Sequence, residues 1–299
     1  MLPRNCPICS SNSASRLFAA KQIDPSRLDQ FAFASRKLPE YMHHELQVCR
    51  DCDLIYASPV PLLPEIEAAY VAAAFDSGVE AAYAAHTYGR LIDRIMSQLP
   101  DLDGALDIGT GDGVFLHELL ARGFRNVAGI EPSAAPIAAA KADVRNLIRQ
   151  GFFEPGALPH ESCSLVTCFQ TIEHVESPLA LCEEAHRILK PGGAFCMVGH
   201  NSQAFSARLL GRRSPIYDVE HLQLFSPNSF RGLLSRAAFT SISVTSYWNR
   251  YPLSYWNRLF PLPANIKRLV LRFLAGIRIG LLPIALPAGN LVAVGFKPR

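Results

Sequence analysis

From residue 105 onwards, short apolar runs alternate with stretches whose apolar residues recur every three or four positions, a pattern that predicts strands separated by helices. Strands are expected at 105–108, 127–130, 144–148, 164–169, 194–198, 240–247 and 289–297, with helices at 114–122, 134–142 and 179–189. Gly123 stops the first helix, Lys190-Pro-Gly-Gly193 ends the third, and Ser226-Pro-Asn opens a further one with serine as N-cap and proline at the first position. Strands interleaved with crossover helices give an α/β, Rossmann-like, doubly wound and mostly parallel sheet, here of seven strands. The ligand of such a sheet belongs at the carboxyl ends of its strands. Chemistry is therefore expected in the loops after Ile108, Ile130, Phe169 and Val198.

The flanking segments have a different texture. Residues 59–100 begin with the proline-punctuated Pro59-Val-Pro61-Leu-Leu-Pro64 and continue as an alanine-rich helical stretch, with Tyr70, Phe75, Tyr83, Tyr88 and Leu91 as an interrupted apolar face. These helices are expected to join the amino-terminal part to the sheet and cap its ligand site. Residues 249–288 interrupt the last pair of strands with an aromatic cluster and an amphipathic basic helix. On a helical wheel Lys267, Arg268, Arg272 and Arg278 share one side, and Leu269, Val270, Phe273, Leu274, Ile277 and Leu281 share the other. The predicted organisation is a zinc-ribbon-like module (1–58), a linker with capping helices (59–100), a core (101–248), a helical insertion (249–288) and the final core strand (289–299).

Composition changes this picture in three ways. A chain that is 49% hydrophobic and 18% charged is not intrinsically disordered. No window of eighteen apolar residues lacks charges or prolines, and no secretory h-region follows Met1, so a cytoplasmic chain without a transmembrane segment is expected. Charge is lopsided: residues 1–220 hold 19 basic and 26 acidic groups, whereas 221–299 hold ten basic and none acidic. That asymmetry points to an anionic contact, such as a phosphorylated small-molecule acceptor or a peripheral membrane surface, or else to a solvated basic face. A basic helix packed on the core with its charges in water is the first expectation for 249–288. Contact with a membrane or a substrate phosphate stands beside it.

Eight cysteines form two populations. Cys6-Pro-Ile-Cys9 and Cys49-Arg-Asp-Cys52, 39 residues apart, are two C-x-x-C knuckles whose thiolates can surround one tetrahedral zinc ion in a closed, structural site. Within the intervening loop, His43 and His44 are expected at the surface or in turns, since four thiolates already complete the site. Cys163, Cys168, Cys182 and Cys196 fall in apolar runs and are expected to behave as small buried hydrophobes.

The loop Asp107-Ile-Gly109-Thr-Gly111-Asp-Gly113 misses the dinucleotide spacing by one residue and carries two carboxylates without a lysine or arginine. It suits a cationic cofactor better than a pyrophosphate, and Glu131, ending the next strand, is placed to accept both hydroxyls of a ribose. Together with Gln170-Thr-Ile-Glu-His-Val175, Arg187-Ile-Leu-Lys-Pro-Gly-Gly193, Glu220-His-Leu-Gln-Leu-Phe-Ser226 and the two cysteine knuckles, this set resembles the class I S-adenosylmethionine-dependent methyltransferases. The resemblance is to the branch with an amino-terminal zinc-binding module that acts on small metabolites and sugars. It implies that Asp107, Gly109, Gly111 and Gly113 line the methionine and ribose part of S-adenosylmethionine, that Glu131 holds the ribose, that Phe152 lies against the adenine, and that Gln170 sits near the methionine moiety.

Two histidines follow a glutamate in loops at the ligand edge, Glu173-His174 and Glu220-His221. A neighbouring carboxylate raises imidazole basicity, and His221 is the preferred general base over His174. Tyr217-Asp-Val-Glu220-His221 is similar to the tyrosine, glutamate and histidine cluster of sugar C-methyltransferases, with one extra residue after the tyrosine. The expected activity is methyl transfer to an oxygen or carbon of a small, sugar-like, phosphate-bearing or lipid-linked acceptor. A nucleic-acid methyltransferase is disfavoured because Phe169-Gln-Thr-Ile172 lacks the proline-rich turn common among enzymes that methylate base amino groups. A non-catalytic zinc-stabilised binding module is the third reading.

Overall fold

The computed structural model describes residues 1–11, 15–28, 32–33, 40–75, 79–156, 158–260 and 262–299. In chain order, strands β1 (Ser15–Ala19), β2 (Leu46–Cys49) and β3 (Ile55–Ala57) lead into helices α1 (Leu63–Val71) and α2 (Val79–Asp93). The alternating region then runs β4 (Asp103–Ile108), α3 (Val114–Ala121), β5 (Arg125–Glu131), α4 (Ala134–Ala139), α5 (Ala142–Arg145), β6 (Ile148–Gln150), β7 (Cys163–Phe169), α6 (Pro178–Ile188) and β8 (Leu189–His200). It is followed by α7 (Phe205–Leu210), β9 (Gln223–Leu224), α8 (Pro227–Arg236), β10 (Thr240–Pro252), α9 (Leu253–Leu259), α10 (Ala264–Gly276) and β11 (Pro283–Phe296).

Seven strands form one sheet in the order β10-β11-β8-β7-β4-β5-β6. Neighbours from β8 to β6 are parallel, and β11 alone is antiparallel to both of its partners. The continuous apolar run of β7 explains its central place: all seven of its residues are buried, as befits a strand covered by helices on both faces. The four cysteines of the second population, two of them in β7, are inert for the same reason. Cys163, Cys168, Cys182 and Cys196 are buried, and burial pushes each thiol up, that of Cys196 to about 12. Ser226 caps α8 by accepting a hydrogen bond from the Ser229 N–H at 3.1 Å, and Phe225 stacks on Phe230 with ring centroids 4.2 Å apart.

Several boundaries differ from the pattern. Residues 144–145, read as the start of a strand, belong to the short helix α5, and the strand begins only at Ile148. Val144 is buried under α3, so its apolar side chain serves a helix face there. Lys190-Pro-Gly-Gly193 belongs to β8. The arms of the final hairpin also run further than expected, pairing Asn249 with Leu286 and Pro252 with Pro283, which confines the helical insertion to residues 253–282.

A second sheet, β1-β2-β3-β9, carries the cysteine knuckles, and its fourth strand comes from far along the chain. Ile55 pairs with Leu224 and Tyr56 with Gln223, so the amino-terminal module is hydrogen-bonded to the segment that follows His221. Arg4 strengthens the join: its guanidinium donates to the carbonyls of Ala57 (2.9 Å), Glu176 (2.9 Å) and Leu222 (2.6 Å) and to Gln223 Oε1 (3.0 Å). His43 and His44 are buried, correcting the surface expectation. His43 Nδ1 bonds the His44 carbonyl at 2.8 Å, and burial lowers His44 to about 4.

Candidate active site

The carboxyl ends of β4, β5, β7 and β8 open into one cavity of about 640 Å³, roofed by α1, α2 and the insertion. The glycine loop builds one half. Gly109 and Gly113 turn the chain with φ of +73° and +70°, a region that favours glycine, and Gly113 starts α3. A side chain at Gly111 would meet nothing within 4 Å, so the loop leaves room beside it in the cavity. Glu131 braces this half by accepting from the N–H groups of Gly111 and Ser133, each at 2.9 Å. Asp107 accepts from Thr167 Oγ1 at 2.7 Å. Burial pushes both carboxyls up, Asp107 to about 7, an environment that a bound cation would relieve. Phe152 and Gln170 line the same cavity.

The other half is a histidine cluster. His174, His200 and His221 all line the cavity, and the His221 ring lies 5.0 Å from each of the other two. The carboxylate pairings are not those of sequence neighbours. Glu173 bonds His200, through the backbone N–H at 2.6 Å and Nδ1 at 3.1 Å. Although burial pushes Glu173 up, these bonds hold it below the usual carboxylate range. Glu220 lies beside His174 (3.7 Å to Nδ1), while His221 Nδ1 is fixed by the Ile216 carbonyl at 2.8 Å. His174 faces a carbonyl at each nitrogen, Glu220 O at 3.2 Å and Gln170 O at 3.0 Å, so the ring bridges two loops, donating to one of them when neutral and to both when protonated.

Tyr217 is outside the cavity lining. Its ring is buried in the amino-terminal module, 5.6 Å from Phe18 and 6.4 Å from His43. Tyr70 of α1 instead stands edge-on to His174 at 6.0 Å. The Tyr70 carbonyl accepts from Ser133 Oγ at 2.6 Å, so a chain of contacts runs from Glu131 through Ser133 and Tyr70 to the histidines. The Tyr70 hydroxyl is buried and has no hydrogen-bond partner among the described residues. Of these, Tyr70 was read only as part of a capping face. His200 was missed, although it ends the strand whose loop was expected to carry chemistry.

No lysine or arginine lines the cavity among the described residues, whereas Asp107, Glu131, Asp218 and Glu220 do. The cavity lining therefore gives an anionic acceptor no support. The four cysteine sulfurs lie within 4.8 Å of one another, with Cys6 to Cys52 at 3.5 Å and Cys9 to Cys49 at 3.4 Å. Zinc–sulfur bonds of about 2.3 Å in a tetrahedron separate sulfurs by about 3.8 Å, so the donor set fits a single zinc ion.

Residues 81–244, more than half of the chain, match the family described as a methyltransferase domain. The chain spans about half the length of the curated relatives it matches. It is 32% identical over 119 residues to the ubiquinone biosynthesis O-methyltransferase of Pseudomonas aeruginosa strain UCBPP-PA14, covering 36% of this chain and 49% of that one. It is 30% identical over 114 residues to the enzyme of the same name from Cronobacter sakazakii, covering 36% and 46%. Among solved structures, the YcgJ protein from Bacillus subtilis superposes with a TM-score of 0.50 at 19% identity, over 72% of this chain and 99% of that one. The superposition shows a shared fold, and the chain belongs to the methyltransferase-domain family.

Proposed function

We propose that the chain methylates a hydroxyl oxygen of a small, uncharged, partly aromatic acceptor, with His221 as general base. The observation that carries this reading is the continuity of one cavity from the acidic glycine loop to the histidine cluster. When bound, S-adenosylmethionine supplies a methyl group activated by its sulfonium. Asp107 and Glu131 would hold the cationic and ribose parts of that cofactor, and Phe152 would lie against the adenine. The Ile216 carbonyl keeps the His221 proton on Nδ1, which leaves Nε2 as the acceptor for the substrate's hydroxyl proton. Tyr251 and Tyr255, with ring centroids 4.7 Å apart, and Tyr70 supply aromatic walls, and the Tyr70 hydroxyl offers a hydrogen bond. Oxygen is preferred to carbon because the curated relatives are named O-methyltransferases. Incubation with methyl-labelled cofactor and fractionated phenol, sugar, lipid and RNA pools tests the reading, and label confined to RNA would overturn it.

Two results are expected for the cofactor half. Glu131→Ala should weaken S-adenosylmethionine binding at least tenfold by calorimetry, since hydrogen bonds to a charged group are worth about 1.5–3 kcal/mol. An unchanged affinity would remove Glu131 from the site. Asp107, raised to about 7, is largely protonated below that pH, and a cationic ligand favours its ionised form. Cofactor affinity should therefore rise with pH towards 7 and level off above it, with proton release on binding near pH 6.5. Asp107→Asn should flatten that dependence.

A further inference from the structure

We propose that the helical insertion, residues 253–282, is a docking surface for bilayers that contain anionic phospholipid. Helix α10 presents three faces. Leu274 is buried against the protein, and the half-buried Lys267 Nζ reaches the Arg258 carbonyl at 2.6 Å, so Lys267 is not part of the free basic face that the wheel drew. Arg268 and Arg272 are exposed on a second face. On the third, Ile266, Leu269, Phe273 and Ile277 form one stripe at helical spacing, with exposures of 41%, 68%, 63% and 48%. The following turn continues it with Leu281 and Leu282, 73% and 53% exposed, flanked by the exposed Arg278. The expectation of an apolar side packed on the core is thus met only along the edge around Leu274.

A contiguous apolar stripe bordered by arginines is the surface that lies in the headgroup region of a membrane, its apolar side chains among the acyl chains and its cations against lipid phosphates. Charge selects this occupant over a second copy of the chain. Residues 221–299 contain no carboxylate, so symmetric pairing would set Arg268, Arg272 and Arg278 against their own copies with no acidic partner in the segment. The cavity lining does not use these cations either. No helix among the described residues is long and apolar enough to cross a membrane, which fits a helix lying in the interface plane. The same insertion walls the cavity with Tyr255 and Leu259 of α9, so docking brings the lipid surface next to the acceptor half. The proposal stands independently of which acceptor is methylated.

The test is co-sedimentation of the full chain with vesicles of phosphatidylcholine alone and of equal parts phosphatidylcholine and phosphatidylglycerol. At least tenfold stronger binding to the mixed vesicles is expected, weakening as salt is added. Each arginine near the surface contributes roughly fivefold, so Arg268→Glu with Arg272→Glu should reduce binding by at least about 25-fold. Leu269→Ser with Phe273→Ser should reduce it comparably. All four side chains are solvent-exposed, and unchanged cofactor affinity and thermal unfolding would confirm that the variants fold. Failure to bind the mixed vesicles would overturn the proposal, as would serine variants that bind like the parent. A concentration-dependent dimer that these serine variants convert to monomer would overturn it in favour of a second copy.

Discussion

His221→Ala should lower turnover at least about 100-fold while the affinity for S-adenosylmethionine stays where it was. The separation follows from the site's construction. The cofactor half is held by Glu131, the glycine loop and the β4–β7 register, whereas His221 is positioned by the Ile216 carbonyl. The histidine is 7% exposed, so alanine leaves a hole between the His174 and His200 rings, and His221→Gln is the better-filled companion. Glutamine keeps much of the volume but has no basic nitrogen. Both variants should lose the limb of the pH–rate profile that reports the base, and neither should change cofactor binding in calorimetry. Turnover within about threefold of the parent in His221→Gln, at saturating acceptor, would take His221 out of the chemistry. His174→Gln is a useful contrast. Its two ring nitrogens are engaged by the Glu220 and Gln170 carbonyls, so its loss should disturb the position of Gln170 and the 220 loop without removing the pH limb.

Much of this site was readable from residue order because local rules and the fold agreed. The alternation of apolar runs located the parallel strands, and the carboxyl-end rule then located the glycine loop, Glu131 and Gln170. Boundaries were lost where a side chain serves two periodicities. Val144 looks like a strand residue yet packs beneath α3, and the Pro-Gly-Gly turn signal at 191–193 gives way to pairing in β8. The partners of the histidines were not readable, because Glu173 reaches His200 across 27 residues and the Ile216 carbonyl carries no side-chain signature. Tyr217 shows the opposite case. Its spacing before the glutamate resembles a known cluster, but its ring packs on Phe18 in the amino-terminal module. Of the ten basic residues in the acid-free carboxy-terminal stretch, five lie on the insertion and, among the described residues, none lines the cavity.

The other large expected effect concerns the cysteine cluster, which we propose holds one structural zinc ion. Removing that ion, by chelation or by Cys49→Ser, should cut turnover at least about 100-fold and leave cofactor affinity within about threefold, because misplacing a catalytic group by about 1 Å already costs that much. The route is short and physical. Cys6, Cys49 and Cys52 are buried in one cluster with Tyr56, Phe225 and Phe230, and structural zinc in small modules contributes about 10–16 kcal/mol of folding energy. Without it β3 would release β9, and Arg4 would release the Leu222 carbonyl that directly follows His221. The catalytic loop is thus set by the amino-terminal sheet, while β4 and β5 keep the cofactor half intact. Metal analysis should give one zinc per chain, and readdition after chelation should restore turnover. Fully active protein that contains no metal and has four thiols open to alkylation would refute the proposal, whereas a joint loss of turnover and cofactor binding would show that the two sheets fold as one unit.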